Sequence, residues 1–427
     1  MRKYLTTTAL LLTFSVTVFA QNDFITLDKQ SYDCYLRGDY KNLKKVGNEL
    51  LAKGIDYYYL RMRLGILAYN NQRYPSAVNH FKRALDLSLM DTISREYIYY
   101  SYLFSGRDAD ANLYLESIPW EKRNTTLQSI AKPGLVDLFA SGSITAYNGT
   151  SYIPSIVSNQ YYEDVKDGLG FSAGLASYFS SRLKADFVYS RYQKSGTVYS
   201  SQSPTGRNLD FVQNQVYAKL TEYLFPGWAI SGFGHLALYS DGSTVSQQGN
   251  GRSSKQTKTE YIGGVGLSKS GWKVRGGANV SFSNFSGSSQ TRGEGYLTYL
   301  PFGNLNLYLT SGGMYQTDKH WGNSYQVNQE VGFKVFKFLW MELGVVGGDA
   351  FLYARNQGLA MNNSFQVPTT TAYSNLIVLL GKHVSVNLSP YYSENNLYLW
   401  DFDTYSKTNR QAVNAFGCSF KLTYKIR

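Results

Sequence analysis

The 427-residue chain is long enough for two domains with separate cores, and it combines 43% hydrophobic residues with only 17% charged ones. Its 38 tyrosines and 39 glycines are unusual for a cytosolic enzyme and ordinary for a transmembrane β-barrel. The formal net charge is +12, but no Lys/Arg run or RNA-binding signature accompanies it, which argues against a nucleic-acid partner.

The N-terminus has the pattern of a secretory signal. Two basic residues precede the apolar stretch Thr8–Phe19, and Val18-Phe19-Ala20 fits a cleavage site. We therefore expect residues 1–20 to be removed on export. No later run of 18 or more apolar residues occurs, which excludes a helical membrane protein.

Residues 21–130 are predicted to form helical repeats. Leu43, Ala77 and Ala111 lie 34 residues apart, and neighbouring positions follow the same period. In the middle unit, Leu64-Gly65, Tyr74 and Phe81 add an order of small and large residues that resembles the tetratricopeptide-repeat family. The outer units are degenerate, and we predict about three units.

The resemblance implies a concave groove that receives a peptide or a partner protein. The residues expected to face it lie on the first helix of each repeat: Tyr32, Tyr35, Met62, Ile66, Tyr69, Tyr100 and Leu103. The alternative is that these side chains only cover the stack or pack against the rest of the protein. His80, on a second helix, is expected to face solvent.

Residues 131–427 begin with a helix-breaking Pro133-Gly134 and then alternate between apolar and polar positions, as β-strands do. We predict about 14 strands, with centres near Ser143, Ala173, Phe187, Val216, Phe233, Val265, Ala278, Leu297, Leu307, Val331, Val345, Ile377, Val386 and Phe416. Short links alternate with longer polar segments, which include Gln193–Asn208 and Arg355–Phe365. A sandwich or a propeller gives no reason for that alternation.

The predicted fold is therefore a short N-terminal helical repeat domain followed by an antiparallel transmembrane β-barrel of about 14 strands. Such barrels lie in the lipid of the bacterial outer membrane with their short turns towards the periplasm. An even strand count returns both chain ends to that side, so the repeats are expected in the periplasm.

The sequence predicts no metal, no cofactor and no enzymatic activity, because metal-ligand spacings and phosphate-binding glycine loops are missing. Only His235 is expected to point into the barrel lumen, as a hydrogen-bonded structural residue. Basic residues of the inward series fall towards the short-turn ends of the strands: Lys184, Lys219, Lys273, Arg275, Lys334, Lys421 and Lys425. As a ring they would attract anionic cargo; alternatively they pair with nearby acids, hold an inner plug or contact the repeats.

The order of signal, repeats and barrel resembles polysaccharide-secretion porins and surface-lipoprotein assembly modifiers. It implies an export or translocation channel, or an assembly factor, that engages a periplasmic partner or cargo. A noncatalytic structural or adhesive barrel is the alternative, and an outer-membrane hydrolase is a third. An open lumen would support the channel. A lumen filled by loops or repeats would support the structural barrel, and a catalytic role of His235 would support the hydrolase.

Overall fold

The computed structural model describes residues 24–130, 135–150, 152–157, 159–245, 254–362 and 364–426. The predicted signal, residues 1–20, and the predicted helix breaker Pro133-Gly134 lie outside these ranges. The chain divides into two compact units, Met1–Ile130 and Ala131–Arg427. Within the described ranges, no helix combines the length and the apolar character needed to cross a membrane.

The first unit is helical. Its helices are α1 (residues 24–36), α2 (Tyr40–Ala52), α3 (Tyr58–Asn70), α4 (Tyr74–Leu87), α5 (Thr92–Phe104), α6 (Asp108–Ser117) and α7 (Thr125–Ser129), with a 3-10 turn at Trp120–Lys122 before α7. The helices α2, α4 and α6 begin 34 residues apart, and so do α3 and α5. Leu43, Ala77 and Ala111 occupy equivalent, fully buried positions on α2, α4 and α6.

A glycine allows α3 and α4 to pack closely. A Cβ atom added to Gly65 would lie only 2.7 Å from Cε1 of Phe81. The Phe81 ring is fully buried, and it stacks on Tyr97 with 4.7 Å between ring centroids. The ring therefore has little room to move away from a larger residue at position 65.

We expect Gly65→Ala to destabilise the helical unit by about 1–3 kcal/mol, because the added methyl overpacks this contact. Thermal unfolding of the full-length protein in detergent, followed by circular dichroism at 222 nm, reports mainly on the helices. Ser76→Ala, on the exposed face of α4, is the control and should leave the transition in place. A higher melting temperature for Gly65→Ala would contradict the prediction, since alanine stabilises an unconstrained helix position by about 1 kcal/mol.

His80 on α4 belongs to a charged network. Asp56 accepts hydrogen bonds from Arg61 Nε at 2.7 Å and from Arg83 Nε at 2.9 Å, and the bond from Arg61 is the main reason why the pKa of Asp56 falls to about 2. Arg61 Nη1 also lies 3.3 Å from His80 Nδ1. Burial, and after it the charge of Arg61, lowers the pKa of His80 to about 4. The expectation of a solvent-facing His80 is wrong, because the ring is partly buried against α3.

The helical unit should lose stability as the pH falls from about 6.5 to about 4. In this window His80 stays neutral in the folded state, whereas the unfolded chain binds a proton there. The expected loss is on the order of 2 kcal/mol, and His80→Gln should abolish it. Asp56 acts only at lower pH, since its stabilising charge is lost between about 4 and 2. Melting curves at pH 7, 5.5 and 4.5 test this, and an unchanged pH slope in His80→Gln would refute it.

The second unit is a closed antiparallel barrel of 14 strands, counted over the described residues. Its strands are β1 (Leu135–Tyr147), β2 (Gln160–Tyr178), β3 (Leu183–Ser200), β4 (Ser203–Phe225), β5 (Trp228–Val245), β6 (Ser254–Ser270), β7 (Val274–Phe285), β8 (Ser288–Tyr299), β9 (Leu307–Asp318), β10 (Gly322–Phe336), β11 (Leu339–Gly348), β14 (Val367–Leu380), β15 (Val384–Asp401) and β16 (Ser406–Lys425). The strands β12 (Tyr353–Arg355) and β13 (Ala360–Asn362) form a separate two-stranded sheet. The predicted fold class is confirmed, and every predicted strand centre lies within its barrel strand.

The barrel closes between its first and last strands. β1 pairs with β16 in a register that runs from Asp137 opposite Lys425 to Tyr147 opposite Ala415. The wall strands carry the alternation that the sequence shows. On β7, for example, Val280 and Phe282 are exposed on the outer face, whereas Ser281 and Ser283 are buried. The wall is thus apolar outside and polar inside.

Several strands extend further than the sequence predicts. Gln193–Asn208 is predicted to be a long loop, yet β3 and β4 pair up to Ser200 and Ser203 and leave only a two-residue turn. β7 and β8 are likewise joined by Ser286-Gly287 alone, with φ angles of 49° and 82°. Beyond an apolar band both faces of a strand meet polar surroundings, so the alternation fades while the backbone pairing continues.

Candidate functional site in the barrel lumen

The connection between β11 and β14 folds into the barrel interior. We call residues 349–366 the lumenal segment, of which residue 363 lies outside the described ranges; the segment contains the β12–β13 hairpin. The sequence predicts a polar loop over Arg355–Phe365. Instead, Phe351, Leu352 and Ala354 are almost fully buried, and they pack in one cluster with barrel residues that include Phe233 and Trp400.

The turn at the tip of the hairpin has an unusual backbone. Asn356, Gln357 and Gly358 are consecutive residues with φ angles of 55°, 57° and 80°. This left-handed conformation costs Gln357 roughly 1–2 kcal/mol, whereas asparagine and glycine adopt it more readily. Glu294 on β8 supports the turn, because its carboxylate accepts hydrogen bonds from the backbone N–H of Asn356 at 3.0 Å and of Gln357 at 3.2 Å.

The side chain and carbonyl of Gln357 bind three inward residues of β4 and β5. Lys219 Nζ donates to Gln357 Oε1 at 3.0 Å, and Gln357 Nε2 donates to Ser231 Oγ at 3.2 Å. Tyr217 donates its hydroxyl to the Gln357 carbonyl at 3.3 Å. The tip is therefore fixed to one side of the wall by polar contacts.

His235 points into the lumen, as the sequence predicts, and it also holds the tip. Its Nδ1 lies 2.6 Å from the carbonyl oxygen of Gly358, and the ring is buried. In a hydrolase, one ring nitrogen of the catalytic histidine is held by an orienting group and the other contacts the nucleophile. Among the described residues, no group forms a hydrogen bond with Nε2 of His235. The hydrogen bond that His235 makes is therefore to the lumenal segment.

A second, aromatic contact region surrounds the segment near the end of the barrel that carries the longer connections. The Trp400 ring lies 4.7 Å from Phe351 and 5.0 Å from Trp321, measured between centroids. Trp400 Nε1 donates to the Phe365 carbonyl at 3.1 Å. These rings fill the lumen where the segment enters it.

A buried ion pair anchors the end of the segment. Lys194 Nζ and Glu163 Oε1 are 2.5 Å apart, and the two side chains are only 2% and 3% exposed. Glu163 also accepts hydrogen bonds from the Tyr161 hydroxyl at 2.8 Å and from Ser364 Oγ at 3.2 Å. Ser364 belongs to the lumenal segment, so the pair joins the wall to that segment.

A cavity of about 860 Å³ adjoins the tip, which contributes Arg355, Asn356, Gln357 and Leu359 to its lining. Charged wall residues of both signs line it as well: Lys184, Lys219, Lys421, Asp137, Asp186, Glu294 and Glu330. The arrangement is a polar chamber of mixed charge that could hold water and a polar or charged solute.

The structure brings three of the seven predicted basic residues to this cavity. Lys184 pairs with Asp186 at 3.1 Å, Lys219 binds Gln357, and Lys421 Nζ lies 4.2 Å from the centroid of the Phe139 ring.

The other four basic residues do not line this cavity. Lys273 lies in the turn before β7 rather than on the strand, and Lys425 is exposed at the end of β16. Lys334 lies over the Trp340 ring at 4.6 Å, and Arg275 is partly buried on β7.

In the helical unit the predicted groove residues differ in exposure. Tyr32 is exposed, whereas Met62 is buried and accepts a hydrogen bond from Ser94 Oγ at 3.0 Å. The remaining five, Tyr35, Ile66, Tyr69, Tyr100 and Leu103, are partly buried.

Tyr69 and Tyr100 share a pocket of about 410 Å³ with four residues that the sequence analysis missed, Ile93, Glu96, Tyr97 and Phe104. All four lie on α5, where Glu96, Tyr97 and Phe104 follow Ile93 by 3, 4 and 11 residues, so helical periodicity could have found them.

Comparisons with known proteins give only distant structural similarity. No protein-family model matches the chain, and no curated protein matches its sequence. Among solved structures, a Pseudomonas aeruginosa FadL homologue is 10% identical and covers 77% of this chain and 94% of its own, with a TM-score of 0.44. The P. putida toluene transporter TodX is 8% identical, with 71% and 92% covered and a TM-score of 0.44. The translocator domain of the autotransporter NalP from Neisseria meningitidis is 12% identical, with 68% and 88% covered and a TM-score of 0.30. These similarities are too low to carry conclusions about function.

Proposed function

We propose that the protein is an outer-membrane transport barrel, an export or translocation channel or an assembly factor, whose lumen opens when the lumenal segment moves. The proposed periplasmic role of the helical unit is to engage a partner or cargo. The apolar outer face and polar inner face of the barrel support a location in the outer membrane.

A lumen filled by a loop favours the structural barrel over a permanently open channel. The observation that carries the transport proposal is that the filling is a separate segment of the chain, which borders a polar cavity of about 860 Å³. In the described part of the chain, β12 and β13 pair with each other and not with a wall strand. Displacement of the segment therefore breaks no backbone hydrogen bond between wall strands. The wall pairing of β11 with β14 continues behind it, up to Gly347 opposite Thr370. The contacts of the tip with Glu294, of Phe351 with Trp400 and of Ser364 with Glu163 then decide whether the segment stays in place.

A noncatalytic structural or adhesive barrel is the second candidate. The aromatic contacts of Phe351 and Phe365 with Trp400 favour it, because a tightly packed segment could stay in place permanently. A passive, permanently open channel has no support, since the segment occupies the lumen. Nor does the third candidate, a hydrolase, gain support from His235, whose Nδ1 contacts a backbone carbonyl.

Conductance of the full-length protein in planar bilayers separates the two candidates. We expect brief openings in the unmodified protein and an open probability about fivefold higher in Glu294→Ala, because the strained turn loses its two acceptors; a factor of five corresponds to roughly 1 kcal/mol. Asp210→Asn, at an exposed position on β4, is the control. Folded protein that never conducts in either form would favour the structural barrel.

A further inference from the structure

We infer that the pocket on the helical unit binds the side chain of a lysine or arginine from a partner polypeptide. The tyrosine pocket, as we call it, is lined by Tyr69, Ile93, Glu96, Tyr97, Tyr100 and Phe104. The inference rests on the proposed partner-binding role of this unit and specifies the chemistry that the partner presents.

Aromatic rings form the walls of the tyrosine pocket. Tyr69 and Tyr97 meet edge to face with 4.9 Å between centroids, and Tyr100 and Phe104 stack at 5.7 Å. Tyr97 is in turn held by its stacking on the buried Phe81. The walls are therefore rigid, yet Phe104 remains 52% exposed and Ile93 50% exposed, so the pocket is open to a ligand.

A carboxylate lies among these rings. Asn124 Nδ2 donates to Glu96 Oε2 at 2.5 Å and fixes the carboxylate, while Asn124 Oδ1 accepts a hydrogen bond from the backbone of α7. Glu96 and Tyr100 line the same pocket, and burial, followed by the negative charge of Glu96, raises the pKa of Tyr100. Within the described part of the chain no basic residue forms an ion pair with Glu96.

This combination selects a cation on a long apolar stem. Cation–π contacts contribute roughly 0.5–2 kcal/mol each, and more when the site is partly desolvated. The methylene stem of lysine or arginine can cover Ile93 and Phe104 while its charged head reaches Glu96. An apolar side chain of the same length would cover the rings but would take water from the carboxylate without replacing it.

A polypeptide is the favoured source of this cation because the surface continues beyond the pocket. Tyr69 on α3 and Tyr100 on α5 both lie on first helices of the repeats. Tyr32, on the first helix α1, is exposed. A chain that inserts one basic side chain could thus contact neighbouring first helices.

The test uses full-length protein in detergent and heptapeptides of Gly and Ser with one central residue: lysine, arginine, acetyl-lysine or norleucine. Saturation-transfer NMR titrations give their dissociation constants. We expect the lysine and arginine peptides to bind about fivefold more tightly than the norleucine peptide and the acetyl-lysine peptide, which both lack the positive charge. Glu96→Gln and Tyr100→Ala should each remove this preference, while Glu49→Gln, on α2 away from the pocket lining, should retain it.

Equal binding of the lysine and norleucine peptides, no binding of any peptide, or a preference that persists in Glu96→Gln would overturn the inference. Circular dichroism confirms that each variant keeps its helices. The bilayer currents of Glu294→Ala test the transport proposal separately, so a negative peptide titration does not count against that proposal. Conversely, a barrel that never conducts would leave the peptide preference interpretable.

Discussion

Replacing Ala350–Phe365 by a flexible linker is expected to convert a mostly closed barrel into a steadily conducting pore. The linker needs about six Gly and Ser residues, which can span roughly 20 Å. The exchange removes both Phe351 and Phe365, whose rings pack against Trp400. It also removes the tip that lines the cavity of about 860 Å³, so the cavity should open towards the other end of the lumen.

The wall should survive this exchange, because the wall strands keep all their pairings with one another and the hairpin pairs only with itself. We expect the mean current at fixed voltage to rise at least tenfold over the unmodified protein, roughly 1.4 kcal/mol or more in the opening equilibrium. Planar-bilayer recordings measure the current. The matched control carries the same linker in place of Ser201-Gln202, an exposed turn between β3 and β4, and should stay closed.

A folded linker variant that still fails to conduct would mean that wall side chains alone close the lumen. That result would remove the reason to regard the lumenal segment as a gate, and the structural alternative would then be favoured. Folding is checked by the slower migration of the unheated sample in SDS gels, which the variant and the control should share.

The wall was predictable from sequence because its determinants are local. Alternation such as Ser281 in and Phe282 out follows from the period of a strand, and it requires no knowledge of distant residues. The 34-residue spacing of the helices is equally local. Strand ends were predicted less well, since pairing up to Ser200 and Ser203 depends on the partner strand rather than on alternation.

The lumenal segment could not be predicted from sequence. Asn356-Gln357-Gly358 has the composition of an exposed turn, and nothing near it in sequence shows that Glu294 or His235 will hold it. The same holds for His80, whose partial burial depends on Arg61 from the preceding helix. These residues acquire their roles from contacts made at long range.

The tyrosine pocket could be predicted from the sequence only in part. The spacing of its residues on α5 could have been read from the sequence. The fixed orientation of Glu96 could not, because it depends on Asn124, 28 residues away.

Breaking the ion pair between Glu163 and Lys194 should cause the largest loss of stability. We expect Glu163→Gln to lower the free energy of unfolding by about 3–5 kcal/mol, because it leaves the Lys194 ammonium buried without its counter-charge. Both side chains are at most 3% exposed, so water can compensate little of this cost. Urea unfolding in detergent, followed by tryptophan fluorescence, gives the change.

The double variant Glu163→Gln, Lys194→Met separates the cost of the unpaired charge from the role of the pair. It should recover most of the lost stability, since no ion remains to be desolvated. Lys166→Met, at an exposed position on β2, is the control for removing a positive charge. A double variant as unstable as Glu163→Gln would show that the charge is not the cause. A stable double variant that conducts more often would show that the pair keeps the lumenal segment in place. The substitution of Glu163 weakens the hydrogen bond that its carboxylate accepts from Ser364.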